Sequence, residues 1–199
     1  MNKVDVEVRA LHDDERAVAG AVAARALADS PTSVWTYGTD VVSRLATNFD
    51  LFVGFLPTLP EPVGALLGRQ VVGVCAASLP GACIGQLVPP ELRVTPTEIG
   101  EPGDLSRAQF VWSLYCEYDL DERHWHVGPV SVEPGLQGCG VGSLLLRAFG
   151  ERMDADGEIA WLETDKPENV VFYRRHGFDV VHEVSHHGLT TWWMRRDPH

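Results

Sequence analysis

The apolar positions change period several times along the first 80 residues. Val4, Val6 and Val8 alternate with polar neighbours over residues 4–11, the period of a half-buried strand. Val18, Ala21, Val22 and Ala26 then recur at helical spacing behind Asp13 and Asp14, either of which can cap the helix, and Ser30-Pro31 stops it. A second helical stretch over 33–55 carries Val41, Leu45, Phe49 and Phe52 or Phe55. Trp35 and Tyr37 stand at its approach, and Pro57 and Pro60 close it. Residues 63–79 read as two strands joined at Gly68-Arg69-Gln70.

Between 80 and 103 lies a Pro/Gly-rich connection without clear period, a length of loop that is often functional. A helix is predicted over 105–118 with Phe110, Trp112, Leu114 and Tyr115 on it. After it come a strand at 124–132, a helix at 141–153, a strand at 159–164, a short helix at 169–175, and a strand pair at 178–185 and 189–195. Strands interleaved with helices predict an α/β chain, and 199 residues suit one domain, 1–199.

Charge and cysteines narrow the function. Against 28 Asp+Glu stand 16 Lys+Arg, a net charge of -12, which leaves little basic surface for nucleic acid and weakly favours a cationic substrate. Cys75, Cys83, Cys116 and Cys139 form no C-x-x-C pair, so no metal site is expected and reduced thiols are the simplest reading. No apolar run nears the roughly 20 residues that span a bilayer, and the first residues lack a signal-peptide pattern, so no membrane association and a cytoplasmic location are expected.

The chemistry concentrates in residues 124–150, a strand, a turn with alternate glycines and an amphipathic helix. At a helix N-terminus the first N–H groups lack intrahelical acceptors and the dipole is positive. A pyrophosphate can therefore be held there by main chain alone if no Cβ blocks it. Gly138, Gly140 and Gly142 meet that need, and Val141, Leu145, Ala148 and Phe149 anchor the helix on a sheet. Neither nucleotide pattern fits. Ser143 stands where a dinucleotide fingerprint needs glycine or alanine, and a Walker A loop needs a lysine that is absent.

Gln137, Gly140 and Gly142 fill the pattern Q-x-x-G-x-G behind Val132-Glu133-Pro134, which resembles the acetyl-CoA loop of the GNAT superfamily of N-acetyltransferases. Residues 161–181 look like the downstream motif of that family, with Asn169, Phe172-Tyr173 and Gly177-Phe178 in order. Together with Leu162-Glu163-Thr164, Pro167 and Trp125 they are similar to the puromycin N-acetyltransferase type. The resemblance is good from 125 to 195 and thin before that.

The resemblance implies a GNAT fold: a mixed sheet of six to seven strands, helices on both faces, and a splayed strand that binds the coenzyme. Residues 124–195 would form the acetyl-CoA-binding core and 1–123 the acceptor side. Gly128-Pro129 fits the bulge, because proline cannot donate to a sheet ladder. Val130, Ser131 and Val132 would then meet the pantetheine arm, Gln137, Gly138, Cys139, Gly140, Val141, Gly142 and Ser143 the pyrophosphate, and Asn169 and Tyr173 the coenzyme arm. Asn169 can equally cap its helix. Cys139 replaces the cation common in the family, which shifts weight to Arg147, Arg174 or Arg175, and no chemistry is assigned to its thiol.

Acetyl transfer to an amine needs a base for the amine and an acid for the departing thiolate. Tyr173, four residues after Asn169 and so on the same helical face, is the candidate acid, with packing beside Phe172 as its bland alternative. His126, six residues before Val132, is the candidate base, with His124 on the same face by alternation. His186 and His187 read as solvated loop residues. Trp35, Tyr37, the 80–102 segment, Trp112, Tyr115 and Tyr118 could wall an acceptor pocket. The reading is thus acetyl transfer to a small-molecule amine. Its alternatives are a protein lysine or N-terminal acetyltransferase, and a coenzyme-binding sensor without turnover.

Overall fold

A computed structural model of the protein describes residues 5–82 and 99–199. Cys83, most of the 80–103 connection and position 4 of the first predicted strand therefore lie outside the described residues.

Among the described residues, seven strands form one sheet: β1 (Glu7–Ala10), β2 (Val63–Leu67), β3 (Gln70–Ser78), β4 (His124–Val132), β5 (Ile159–Thr164), β6 (Asp179–His186) and β7 (Leu189–Arg196), in the order β1-β2-β3-β4-β5-β7-β6. The pairings among them are antiparallel except β4 with β5. Six α-helices of the described residues flank it: α1 (Asp13–Leu27), α2 (Pro31–Tyr37), α3 (Val41–Phe55), α4 (Leu105–Glu117), α5 (Val141–Asp156) and α6 (Pro167–Arg174). A mixed seven-stranded sheet with helices on both faces is the α/β architecture expected.

The helix starts differ from the sequence reading in three places. His12, not Asp13 or Asp14, is the N-cap of α1; its N–H donates to Glu15 at 2.9 Å, and Asp13 and Asp14 sit in the first turn, where the positive dipole end favours them. The single stretch expected over 33–55 is two helices, because Ser30-Pro31 starts α2 as well as stopping α1, and Gly38 at φ +90° breaks the path before α3. Asn169 lies in the first turn of α6 rather than capping it; Lys166 is the N-cap and Pro167 the first helical residue.

One strand decides how the faces are used. Cys75 pairs with Val130 while Ala77 pairs with Val127, so β4 holds one residue more than β3 across Gly128-Pro129. Before the bulge, Trp125 and Val127 face α5; after it the phase is inverted, and Val130 and Val132 face α5 instead. β4 pairs with β5 only from His124 to His126, and beyond that the strands part. On the α5 side lie Leu145, Phe149, Met153, Ala160, Leu162 and, from α6, Val170 and Tyr173. The opposite side holds α1 and α3, which meet so closely that a Cβ on Gly20 would come within 2.5 Å of the Phe52 carbonyl oxygen, and α4, whose Phe110 and Leu114 pack on Trp161 and Trp193.

Arg44 joins the three N-terminal helices. It is 4% exposed, and its guanidinium donates to the Ala28 carbonyl at 2.6 Å and the Gly38 carbonyl at 3.0 Å and pairs with Asp29. These carbonyls are helix-end groups that otherwise lack an acceptor role. Arg44→Met keeps most of the volume and leaves them without the guanidinium. The expected loss is about 2–4 kcal/mol, seen as a melting midpoint lower by roughly 5–15 °C. A shift under about 2 °C would show that water replaces the guanidinium without cost.

Candidate active site

The parting of β4 from β5 opens a cleft of about 650 Å3, bounded by β4, the N-terminus of α5 and α6. A 3-10 turn at Pro134–Leu136 leads into Gly138 at φ +74° and Gly140 at φ +89°, the latter the N-cap of α5. Both conformations favour glycine, and a Cβ built at either position meets nothing within 4 Å, so each would project into open space. The cradle therefore fits a phosphate-bearing ligand such as the pyrophosphate of acetyl-CoA.

Of the coenzyme residues expected from sequence, Val130, Val132, Gln137, Gly138, Gly140, Gly142, Ser143, Asn169 and Tyr173 line this cleft. Three do not. Val141 is 1% exposed in the core under α5, Ser131 points to the opposite sheet face because of the bulge, and the Cys139 side chain is off the wall; for these only main-chain contact is available. Gln137 donates to the Val132 carbonyl at 3.1 Å and so braces the turn. Of the three arginines, Arg175 alone lines the cleft, joined by Lys166. His176 Nε2 lies 3.1 Å from the Ser143 hydroxyl, and burial, then Arg147, push its pKa below the ordinary value.

Next to the cleft is a second cavity of about 220 Å3 between α2, α3, α4 and the ends of β4 and β5. Tyr37, Trp112 and Tyr115 line it as expected. Trp35 and Tyr118 do not: they pack with Phe110, Trp161 and Trp193. The 83–98 part of the 80–102 segment lies outside the described residues. His186 and His187 are not merely solvated: both pack against Trp35, with the His187 ring stacked on it at 5.4 Å between centroids.

His126 lines the cavity, on the face opposite Val132 despite their even spacing, since the bulge intervenes. Its Nε2 is 2.7 Å from Glu163, whose side chain is 19% exposed, against 4% for that of His126. Its Nδ1 is 3.7 Å from Asp119, which in turn is 3.1 Å from His124 Nε2. His124 Nδ1 donates to the Glu122 carbonyl at 2.7 Å. Asp119, His124 and His126 present ligand atoms within 4.8 Å of one another, a grouping that could hold a metal ion although the sequence predicts no metal site. Glu163 and Asp119 were missed in the sequence. Glu163 sits two residues after the core Trp161 on a strand and could have been found from that alternation; Asp119, past the end of α4, carries no spacing signal.

Tyr173 is 7% exposed, with its ring between Phe172 and Phe178, and it lines both cleft and cavity. Burial, with smaller contributions from Cys75, Glu163 and Asp165, pushes its phenol pKa above the ordinary 10.0. A phenol so placed is neutral and a donor. Asn169 Nδ2 donates to the Thr164 hydroxyl at 3.1 Å, which ties α6 to the end of β5.

These features agree with comparisons to known proteins. Residues 108–180 match the family model of the acetyltransferase (GNAT) domain. Among solved structures, a histone acetyltransferase HPA2-related acetyltransferase of Corynebacterium glutamicum superposes with TM-score 0.68 at 20% identity, over 98% of this chain and 97% of that one. The polyamine N-acetyltransferase of Drosophila melanogaster, which forms N-acetylagmatine, gives TM-score 0.70 at 13% identity over 97% and 100% of the two chains. The PaiA N-acetyltransferase of Thermoplasma acidophilum, solved with coenzyme A, gives 0.55 at 13% identity over 97% and 99%. At these identities the structures speak to the fold. The chain thus shares the fold of these acetyltransferases, and its residues 108–180 resemble the GNAT domain, whose enzymes take acetyl-CoA as cosubstrate.

Proposed function

We propose that the protein transfers an acetyl group from acetyl-CoA to the primary amine of a small molecule, by direct attack within a ternary complex. The observation that carries this reading is that Val130, Asn169 and Tyr173 line both the coenzyme cleft and the second cavity, so thioester and amine can meet at their shared wall. A cavity of only about 220 Å3 suits a small molecule better than a peptide, which needs a longer groove. The likeness of residues 161–178 to the puromycin N-acetyltransferase type and the polyamine enzyme among the structural neighbours support a small-molecule acceptor too.

Acetyl-CoA supplies the thioester. The amine lone pair attacks its carbonyl carbon, the C–S bond breaks, and the proton balance falls to this chain. Glu163, more accessible than His126 and hydrogen-bonded to it, accepts the amine proton, and His126 with Asp119 behind it disperses that charge. Tyr173, which its raised pKa keeps protonated, hydrogen-bonds to the departing sulfur and passes it a proton as negative charge develops there. An assay of thiol release from acetyl-CoA across a panel of amines tests the function: coenzyme binding without release for any amine would leave the sensor reading instead.

Tyr173→Phe keeps the packed ring and removes the hydroxyl. Turnover at saturating acetyl-CoA should fall roughly 100-fold while coenzyme affinity changes little. In the wild type the phenol stays protonated up to at least pH 10, because its pKa is raised, so turnover should show no falling limb below that pH. Near-normal turnover of the variant, or a limb between pH 8 and 10 that the variant abolishes, would contradict the donor role.

Glu163→Gln removes the acceptor without changing size. The defect, roughly 10- to 100-fold near pH 7, should shrink toward pH 10, where an alkyl amine of pKa about 10.4 loses its proton unaided. His126→Ala in the same background should add little if the two act as one unit. A defect constant with pH would assign Glu163 to holding the substrate rather than taking its proton.

A further inference from the structure

The charge of the second cavity is distributed at one end only. Among the described residues, its ionised side chains are Glu163 and Asp165, both from the C-terminal end of β5, and His126 stands beside Glu163. This is also the end that Tyr173 and Asn169 share with the coenzyme cleft. Among the described residues the rest of the wall is uncharged: Leu51 and Phe55 from α3, Val111 and Trp112 from α4, and Tyr37 at the end of α2, with Tyr115 of α4 reaching toward Glu163 and Asp165.

Building on the amine-acetyltransferase reading above, we propose that the acceptor is a compact monocationic amine with an aromatic body, and that diamines and polyamines are rejected. The ammonium sits by Glu163 and Asp165 at the acetyl-transfer end, and the body lies between Tyr37, Trp112 and Tyr115. A second ammonium several carbons away would lie against Leu51 and Phe55 with no counter-charge among the described residues, and desolvating an unpaired charge is heavily penalised. An aromatic ring there gains area burial and the offset or edge contacts that aromatic walls favour. The cavity, about 220 Å3, is below the roughly 300–1,000 Å3 of pockets for drug-sized ligands, so the body is small.

The selectivity sets this protein apart from a polyamine enzyme of the same fold. The test measures kcat/KM by thiol release for 2-phenylethylamine, hexylamine, agmatine and spermidine, with coenzyme A stabilisation of the fold followed in parallel. The expected order places 2-phenylethylamine first and the two polycations at least 100-fold below it. Equal or faster turnover of agmatine or spermidine would overturn the proposal while leaving amine acetylation intact. Stabilisation by coenzyme A with no amine turned over would overturn amine acetylation itself. Two variants probe the wall. Trp112→Ala should raise KM for 2-phenylethylamine at least tenfold and leave that for hexylamine nearly unchanged. Leu51→Asp, in a variant that coenzyme A still stabilises, should raise kcat/KM for 1,6-diaminohexane relative to hexylamine; an unchanged ratio would show that the distal charge does not lie in this wall.

Discussion

The arrangement depends on one residue too many in β4. A strand with a proline at 129 cannot complete its ladder, and the extra residue across Gly128-Pro129 is where β4 stops following β5. The gap that results is the cleft proposed to hold the coenzyme. The same insertion inverts the alternation of side chains, so residues before it and after it face opposite ways. His126 faces the second cavity, and Val130 and Val132 face α5 and line the cleft. An unbulged β4 would send Pro129 and Ser131 to the α5 face and close the gap by continuing its pairing with β5.

The chemistry is then held by groups committed to the fold. Tyr173 belongs to the main core and lines both cavities, so the proposed proton donor cannot shift without disturbing Phe172 and Phe178. Glu163 shares β5 with the buried Trp161 and Leu162 and inherits their rigidity. On the acceptor side Arg44 fixes the corner between α1, α2 and α3 from which Tyr37 and Leu51 reach the cavity. Asp165 accepts the Thr32 N–H at 2.7 Å, joining the first turn of α2 to the end of β5.

The parts visible in the sequence were those set by local rules. The strand–turn–helix of 124–156 follows from period changes and from glycines whose φ only they tolerate, and the Pro129 bulge from a missing donor. The placement of Tyr173 beside Asn169 was legible because four residues separate them on one helix. What escaped was whatever tertiary contact decides. His126 and Val132 stand six residues apart, which on a regular strand would share one face, and the inserted residue turns them to opposite faces. Asp119 reaches the histidines from a turn after α4, a meeting that no spacing announces. The break at Gly38 was hidden because apolar residues continue at helical spacing across it, and Trp35 was assigned to the pocket although aromatic neighbours far along the chain draw it into their own cluster.

The claim on which all else rests is that the splayed β4 and the N-terminus of α5 hold coenzyme A. It is tested by following thermal unfolding with coenzyme A for the wild type and for Gly140→Val, which puts a branched side chain at φ +89° and into the open cradle. Ligand at 100 times its dissociation constant should stabilise the wild type by about 2.7 kcal/mol, or roughly 5–10 °C in midpoint, and a folded Gly140→Val should show no shift. No shift for the wild type at millimolar coenzyme A, or an equal shift for the variant, would contradict the account.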